Sequence, residues 1–143
     1  MLGGPTGGAG PSKVYGHRDT MSADMTTAEY TAQQARTMSE ATFQTDVIEL
    51  AHLHNWRVAH FRTVAVKRKN GTVHYQTPVQ ADGAGWPDLF MCRKDRAIAA
   101  ELKSHRGVTS DDQKAWLAAL AWADIEVYEW KPIDMAEIER ILQ

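Results

Sequence analysis

The chain has 143 residues, of which 43% are hydrophobic, so it is long enough for one domain with its own core. Its formal net charge is −2, and its single cysteine excludes an internal disulfide and a zinc–cysteine cluster. No apolar run approaches the ~20 residues that span a membrane, and the glycine-rich start does not resemble a signal peptide. We therefore expect a cytoplasmic protein with no membrane partner.

The first 38 residues differ in composition from the rest of the chain. Residues 1–16 contain six glycines and two prolines, which predicts disorder. Residues 26–38 are compatible with a helix but show no clear apolar stripe. We therefore predict a flexible N-terminal tail over residues 1–38 and a folded domain over residues 39–143.

A helix is predicted from about Ser39 to His54–Asn55, because apolar residues recur at helical spacing. Glu40 lies three residues before Phe43, the first apolar residue of this pattern, and so shares its face of the helix. Gln44 lies one helical turn after Glu40 and is a further polar candidate. Glu40 is either a site carboxylate or an acid that the helix dipole favours in a first turn. The expected buried stripe is Phe43, Val47, Leu50 and Ala51.

The next segment is basic: residues 57–81 contain five lysines and arginines and no acid. Arg57–Phe61 is predicted to be a strand, and two further strands flank Asn70–Gly71, a strong hairpin signal. This hairpin is interpreted as an arm that binds DNA phosphates through Lys67, Arg68 and Lys69, or that contacts a partner subunit. The alternative is a solvated hairpin with ordinary surface charges.

Four further residues of this segment and of the loop after it have alternative interpretations. His60 and His74 are each either phosphate contacts or structural histidines, and the structural reading is commoner for a lone histidine. Tyr75 is a candidate for stacking on a base. Trp86 is a second candidate, although core packing is favoured for it.

A second hairpin is predicted where short apolar runs, 89–92 and 97–100, flank a polar break. A turn centred on Lys94–Asp95 would place Asp88 directly opposite Glu101, with Cβ atoms about 4.5–5.5 Å apart. Lys103 then projects from the same face as Glu101. Cys92 is expected to be an inert, buried strand residue.

Two carboxylates beside a lysine are the parts of a metal-dependent phosphodiester-cleaving site. Oxygen ligands select hard cations, so Mg²⁺ or Mn²⁺ is the expected cofactor. Lys103 would either stabilise charge on the phosphoryl group or help to deprotonate water. The alternative is incidental surface charge, but Glu101 interrupts an otherwise apolar strand, and a buried acid needs a partner.

The last third predicts a helix, a strand and a helix. The first helix opens at 109–112, runs to about Ala123 and turns Trp116, Leu117, Leu120 and Ala123 inward. Gln113 lies on this inward stripe and either reaches the site or completes a capping box with Ser110. Residues 126–130 are the strand, and Asp134 is expected to cap a final helix over Met135–Leu142.

Four motifs in this order resemble the VRR-NUC branch of the PD-(D/E)xK nuclease superfamily, especially its small stand-alone forms in bacteriophages and bacteria. The resemblance covers roughly residues 39–132, although the Val-Arg-Arg string of the family name is absent. The motifs are Ser39-Glu40-x-x-Phe43-Gln44, Gly85-Trp86-Pro87-Asp88, Glu101-Leu102-Lys103 and Gln113-x-x-Trp116-Leu117-x-x-Leu120.

The resemblance implies a restriction-endonuclease-like α/β fold, with an αβββαβ core and a mixed central sheet flanked by helices. It implies that Asp88, Glu101, the Leu102 carbonyl and Glu40 bind the metal, that Lys103 is catalytic, and that Glu40 and Gln113 are accessory. His105 and Arg106 are expected to contact DNA phosphate, as is Gln44.

The implied activity is that of a metal-dependent DNA endonuclease acting on branched DNA such as Holliday junctions, as a possible homodimer. One alternative is a nuclease of the same fold that cuts linear duplex or flap ends. Another is a DNA-binding subunit that does not cut. A small-molecule phosphodiesterase is disfavoured by the basic arm and by the absence of nucleotide-pocket motifs.

Overall fold

In the computed structural model, residues 25–61, 64–76 and 78–143 are described. The predicted disorder of residues 1–16 and the charge of Arg62 therefore lie outside the described residues. The described helices are α1 (Thr27–Thr37), α2 (Glu40–Leu53), α3 (Asp111–Trp122) and α4 (Met135–Leu142). The strands are β1 (Arg57–His60), β2 (Val64–Lys67), β3 (Val73–Gln76), β4 (Leu89–Arg93), β5 (Arg96–Leu102) and β6 (Glu126–Trp130).

The fold is mixed α/β, as predicted at the level of class. Four strands form one sheet in the order β1-β4-β5-β6, with β5 and β6 parallel and the other neighbours antiparallel. β2 and β3 pair with each other as a separate hairpin. With α1, α4 and this hairpin set aside, the chain runs α2-β1-β4-β5-α3-β6.

The β4–β5 register is the one that the sequence predicted. Leu89 pairs with Ala100, and Arg93 pairs with Arg96 across the Lys94–Asp95 turn. Lys94 adopts the left-handed conformation, with φ of 55°. Side chains alternate across the two strands, so one face carries the apolar core and the opposite face carries Asp88 and Glu101.

The main core lies between the sheet and helices α2 and α4. α2 contributes Phe43, Val47 and Ala51, as the helical spacing predicted, and Leu50 is half-buried. Ser39 caps α2 by accepting a hydrogen bond from the Thr42 amide (3.1 Å). The other buried members are Trp56, Leu89, Met91, Ile98, Ala100, Leu102, Trp130, Ile138 and Leu142.

Three details differ from the sequence predictions. Cys92 is exposed, because it lies on the α3 face near the turn end of β4, whereas α3 packs mainly on β5 and β6. The Asp134 carboxylate accepts from the Lys131 amide (2.8 Å), so it closes a 3-10 turn and does not cap α4. The α3 stripe is only half-buried, and Ala123 is exposed.

α1 lies within the predicted tail but packs against the 3-10 turn Pro132–Asp134. Its Ala35 is buried, and Thr26 and Glu29 form a capping box at its start. Among the described residues, no helix has the length and apolar content needed to cross a membrane.

The turn end of the central hairpin is held by Trp56. Its indole N–H donates to the Leu142 carbonyl (2.9 Å), and the guanidinium carbons of Arg93 and Arg96 lie 4.8 and 5.0 Å from its ring centroid. Arg93 also donates to the His54 and Leu142 carbonyls, and Arg96 forms a two-bond ion pair with Glu126.

Replacing Trp56 by alanine is expected to lower the free energy of unfolding by about 3–5 kcal/mol, because a buried aromatic ring and its contacts are lost. Trp122→Ala is the matched control, since Trp122 is 91% exposed, and should change stability by no more than about 0.5 kcal/mol. Urea denaturation measures both. Equal losses in the two variants would show that Trp56 is not an anchor of the fold.

Candidate functional site

The centre of the candidate site is the pair Asp88 and Glu101. Continuing the β4–β5 register by one residue places them opposite each other. The Leu102 amide donates to Asp88 Oδ2 (2.9 Å), and the Asp88 carbonyl accepts from the Phe61 amide (2.8 Å). Asp88 is therefore fixed from both neighbouring strands, on the face predicted for it.

Glu101 is 1% exposed, and its two carboxylate oxygens have different surroundings. Oε1 receives the Lys103 ammonium (2.7 Å) and the Gln113 side-chain amide. Oε2 is buried and has no hydrogen-bond partner among the described residues. A buried carboxylate oxygen without a partner costs free energy, so this atom points to an absent cation or water.

The pKa of Glu101 is raised from 4.5 to about 7, first by burial and then by repulsion from Asp88, against the opposing effect of the Lys103 ammonium. Burial also raises the pKa of Asp88, against the opposing effects of the Leu102 amide and Lys103. The two opposed carboxyl groups resist being ionised at the same time. A divalent cation between them would stabilise the doubly ionised pair.

Gln113 completes the predicted capping box and also contacts Glu101. Its Oε1 accepts from the Ser110 amide (2.8 Å), which closes the predicted capping box at the start of α3. Its Nε2 donates to Glu101. The cap therefore fixes the side chain that holds Glu101.

A close backbone approach joins the loop before Asp88 to α3. Gly85 has φ of +82°, and a Cβ there would lie 2.4 Å from the Asp112 carbonyl carbon and 2.6 Å from the Gln113 nitrogen. The Trp116 indole donates to the Asp82 carbonyl (2.9 Å), and Trp86 packs edge-on against Trp116 at 4.8 Å. Trp86 therefore packs against other aromatic rings, as favoured from the sequence.

The other sequence candidates lie at different distances from this centre. Glu40 is exposed at the start of α2, yet its charge contributes to raising the pKa of Asp88. Gln44 hydrogen-bonds His60, whose own charge acts on Asp88 in the opposite direction. The sequence leaves His60 as either a phosphate contact or a structural histidine, and the β1–β4 pairing places it opposite Leu89, next to Asp88 in the chain.

The remaining candidates flank the site. His105 and Arg106 lie in the turn after β5, which folds over the stem of Lys103: a Cβ at Gly107 would stand 3.1 Å from the Lys103 Cβ. Lys67 ends β2, and Arg68 and Lys69 lie in the exposed turn of the β2–β3 hairpin. The structure records no contact between these cations and the carboxylate pair.

The residues present fit a hard divalent cation in their chemistry. Asp88 and Glu101 supply oxygen donors, and the unpartnered Oε2 of Glu101 leaves one of them unused. Within the described ranges, no three or more His, Cys, Asp or Glu side chains converge on one point. Glu40 is therefore not brought into one group with Asp88 and Glu101 among the described residues, and the further ligand that the resemblance implies is the Leu102 carbonyl.

Comparison of the chain with protein-family models, with curated proteins and with solved structures gave no significant match.

Gly85→Ala is expected to destabilise the protein more than Gly71→Ala. Both glycines have φ near +82°, so both variants carry the left-handed backbone cost of roughly 1–2 kcal/mol. Only Gly85 adds a steric clash, since nothing lies within 4 Å of a Cβ at Gly71. Urea denaturation of the two variants isolates the clash, and equal destabilisation would contradict the close approach to α3.

The raised pKa of Glu101 predicts that stability falls as pH rises from about 4.5 to about 7. In this window the folded protein keeps a proton that the unfolded chain has released, so the slope of unfolding free energy against pH is negative. Glu101→Gln should flatten this fall, measured as urea unfolding across the window.

Glu126→Gln is the control for that titration. Hydrogen bonds from Arg96 lower the pKa of Glu126, so its contribution to stability is present above its unfolded pKa and is lost as pH falls. Its replacement should therefore leave the fall between pH about 4.5 and about 7 in place. An unchanged profile in Glu101→Gln would show that this carboxyl does not titrate in the window.

Proposed function

We propose that the protein is a metal-dependent DNA endonuclease that hydrolyses phosphodiester bonds. The observation that carries the proposal is the buried carboxylate pair, Asp88 opposite Glu101, with the Lys103 ammonium 2.7 Å from Glu101. The element order α2-β1-β4-β5-α3-β6 matches the αβββαβ order that the resemblance to VRR-NUC nucleases implies, and so supports the same reading.

Asp88 and Glu101 would hold Mg²⁺ or Mn²⁺, together with the Leu102 carbonyl. When bound, the cation polarises a phosphoryl oxygen and lowers the pKa of coordinated water. The protein keeps both acids in place: the Leu102 amide holds Asp88, and Gln113 holds Glu101. The side chain of Lys103 is 14% exposed, and its ammonium group would lie beside the phosphate and stabilise the negative charge that develops there.

The charge distribution supports an anionic substrate. The described cations Lys67, Arg68 and Lys69 lie together on an exposed hairpin, and phosphate contacts there would give sequence-independent, salt-sensitive affinity. Branched DNA is the favoured substrate because the stand-alone VRR-NUC proteins that this chain resembles act on four-way junctions. Symmetric cleavage of a junction needs two sites, so a homodimer is part of the proposal.

Cleavage of a labelled four-way junction, a flap, a linear duplex and a single strand is the first test, each in Mg²⁺, Mn²⁺ or chelator. We expect cutting that requires metal and that falls at least ~100-fold in Lys103→Ala, Asp88→Asn and Glu101→Gln, since each removes a charge used in the reaction. DNA binding should persist in the three variants.

Lys94→Ala and Asp95→Asn are matched controls, because they change the same residue types at the opposite, exposed end of the same hairpin. They should cut like wild type. Cutting of linear duplex or flap alone would keep the site and replace the substrate. Binding without any cutting would favour a non-catalytic DNA-binding subunit, and normal cutting by Glu101→Gln would refute the site.

A further inference from the structure

A cleft of about 680 Å³ opens beside Asp88. Its walls are the end of β3, the segment 78–86 and the first turn of α3, and Asp88 and Gln113 are the two members of the candidate site that reach it. The volume lies in the range of pockets that enclose small organic ligands. The cleft therefore adjoins the position proposed for the reacting phosphate and shares Asp88 and Gln113 with the candidate site.

The lining of the cleft favours an uncharged group over a phosphate. Its described lining residues include the carboxyl groups of Asp88 and Asp112 and the imidazole of His74, and no lysine or arginine. The remaining surface combines neutral polar groups with apolar ones, namely Ser110, Gln80, Gln113, Val79 and Trp86 among others. Apolar faces with hydrogen-bonding edges suit an uncharged, planar, polar-edged group, and a nucleobase has this chemistry.

The cations stand outside the cleft, on the β2–β3 hairpin that forms one wall. Ala65 pairs with Tyr75, and Lys67 pairs with Val73, so Lys67 and Tyr75 project from the same hairpin face. Tyr75 lines the cleft and is 69% exposed, so most of its surface is free of protein packing. An exposed aromatic ring that shares a face with a cation, with Arg68 and Lys69 in the turn beyond, suits the stacking and phosphate contacts that bind single-stranded nucleic acid.

We propose that the cleft is a subsite for one unpaired base of the DNA strand, which stacks on Tyr75 while its flanking phosphates contact the hairpin cations. The proposal rests on the proposed function for its substrate class, and among branched DNAs it selects those with at least one unpaired nucleotide at the branch. A base inside a perfect duplex is stacked and paired, so extruding it costs free energy that an unpaired base does not require.

Binding in chelator tests the subsite without any cleavage. The probes are a duplex with a single-stranded gap that carries 2-aminopurine at an unpaired position, and the same sequence fully paired. We expect wild type to prefer the gapped probe and to change its 2-aminopurine fluorescence. Tyr75→Ala should weaken binding of the gapped probe roughly 5- to 150-fold, the effect of losing one base–aromatic stack. Tyr75→Phe should retain both affinity and fluorescence change.

Two comparisons test the subsite further. The first separates base stacking from charge attraction, and the second tests the cleft at a wall outside the β2–β3 hairpin. Tyr75→Ala should leave the affinity for the paired probe and the salt dependence unchanged, whereas Lys67→Gln should weaken both probes and reduce the salt slope by about 0.9. Ala84→Leu, which adds bulk to the opposite wall of the cleft, should reproduce the selective loss on the gapped probe. Ala118→Leu, on an exposed position of α3 that does not line the cleft, is its control.

Equal effects of Tyr75→Ala on the two probes, no effect on either, or no binding of DNA by wild type would overturn the subsite. These results are independent of the proposed chemistry, because no metal is present. A protein that shows the Tyr75-dependent preference but never cuts in Mg²⁺ or Mn²⁺ would keep the subsite and refute the nuclease.

Discussion

The burial of the Glu101 carboxylate is the constraint on which the rest of the site depends. A carboxyl group that is 1% exposed needs partners, and three elements supply or position them. β5 carries Lys103 two residues on, α3 brings Gln113 through its capping box, and β4 presents Asp88 opposite. The Gly85 backbone can approach α3 closely only because it has no side chain, and this approach sets the loop that delivers Asp88.

The central hairpin is fixed at both of its ends. At the turn, Arg93 and Arg96 bond to carbonyls of the α2 and α4 termini and lie over Trp56. At the open end, the Leu102 amide bonds to Asp88. A slip of one residue would break both ends and would move one acid to the opposite face. Stability of the fold and geometry of the site are therefore set by one register.

Local signals in the sequence predicted much of this arrangement. The Asn70–Gly71 turn, the start of α2 near Ser39, the Ser110 capping box and the β4–β5 register were all correct, because each depends on neighbouring residues whose spacing is visible. The prediction that Cys92 is buried was wrong. A strand alternates between two faces, and sequence alone does not show how far a helix covers the second face. The prediction that the Asp134 side chain caps α4 was wrong, because that carboxylate accepts from the Lys131 amide.

The unpredicted parts arise from contacts between distant segments. His60 is next to Asp88 only through the pairing of β1 with β4, and the cleft exists only because the β3 end, a loop and α3 meet. Neither the position of His60 nor the cleft produces a residue spacing that could be recognised in the sequence. The roles of Asp88, Glu101, Lys103, Glu40 and Gln113 remain predictions of function, although the structure brings the first three and Gln113 into contact or direct opposition.

The hydrogen bond from the Leu102 amide to Asp88 limits which substitutions position 88 can accept. The side chain at this position both accepts from the neighbouring strand and forms half of the carboxylate pair. Alanine there would leave a backbone donor without its partner, whereas asparagine keeps an acceptor of the same shape. Asparagine at position 88 would therefore remove the negative charge from the pair while the two strands stay joined at this end.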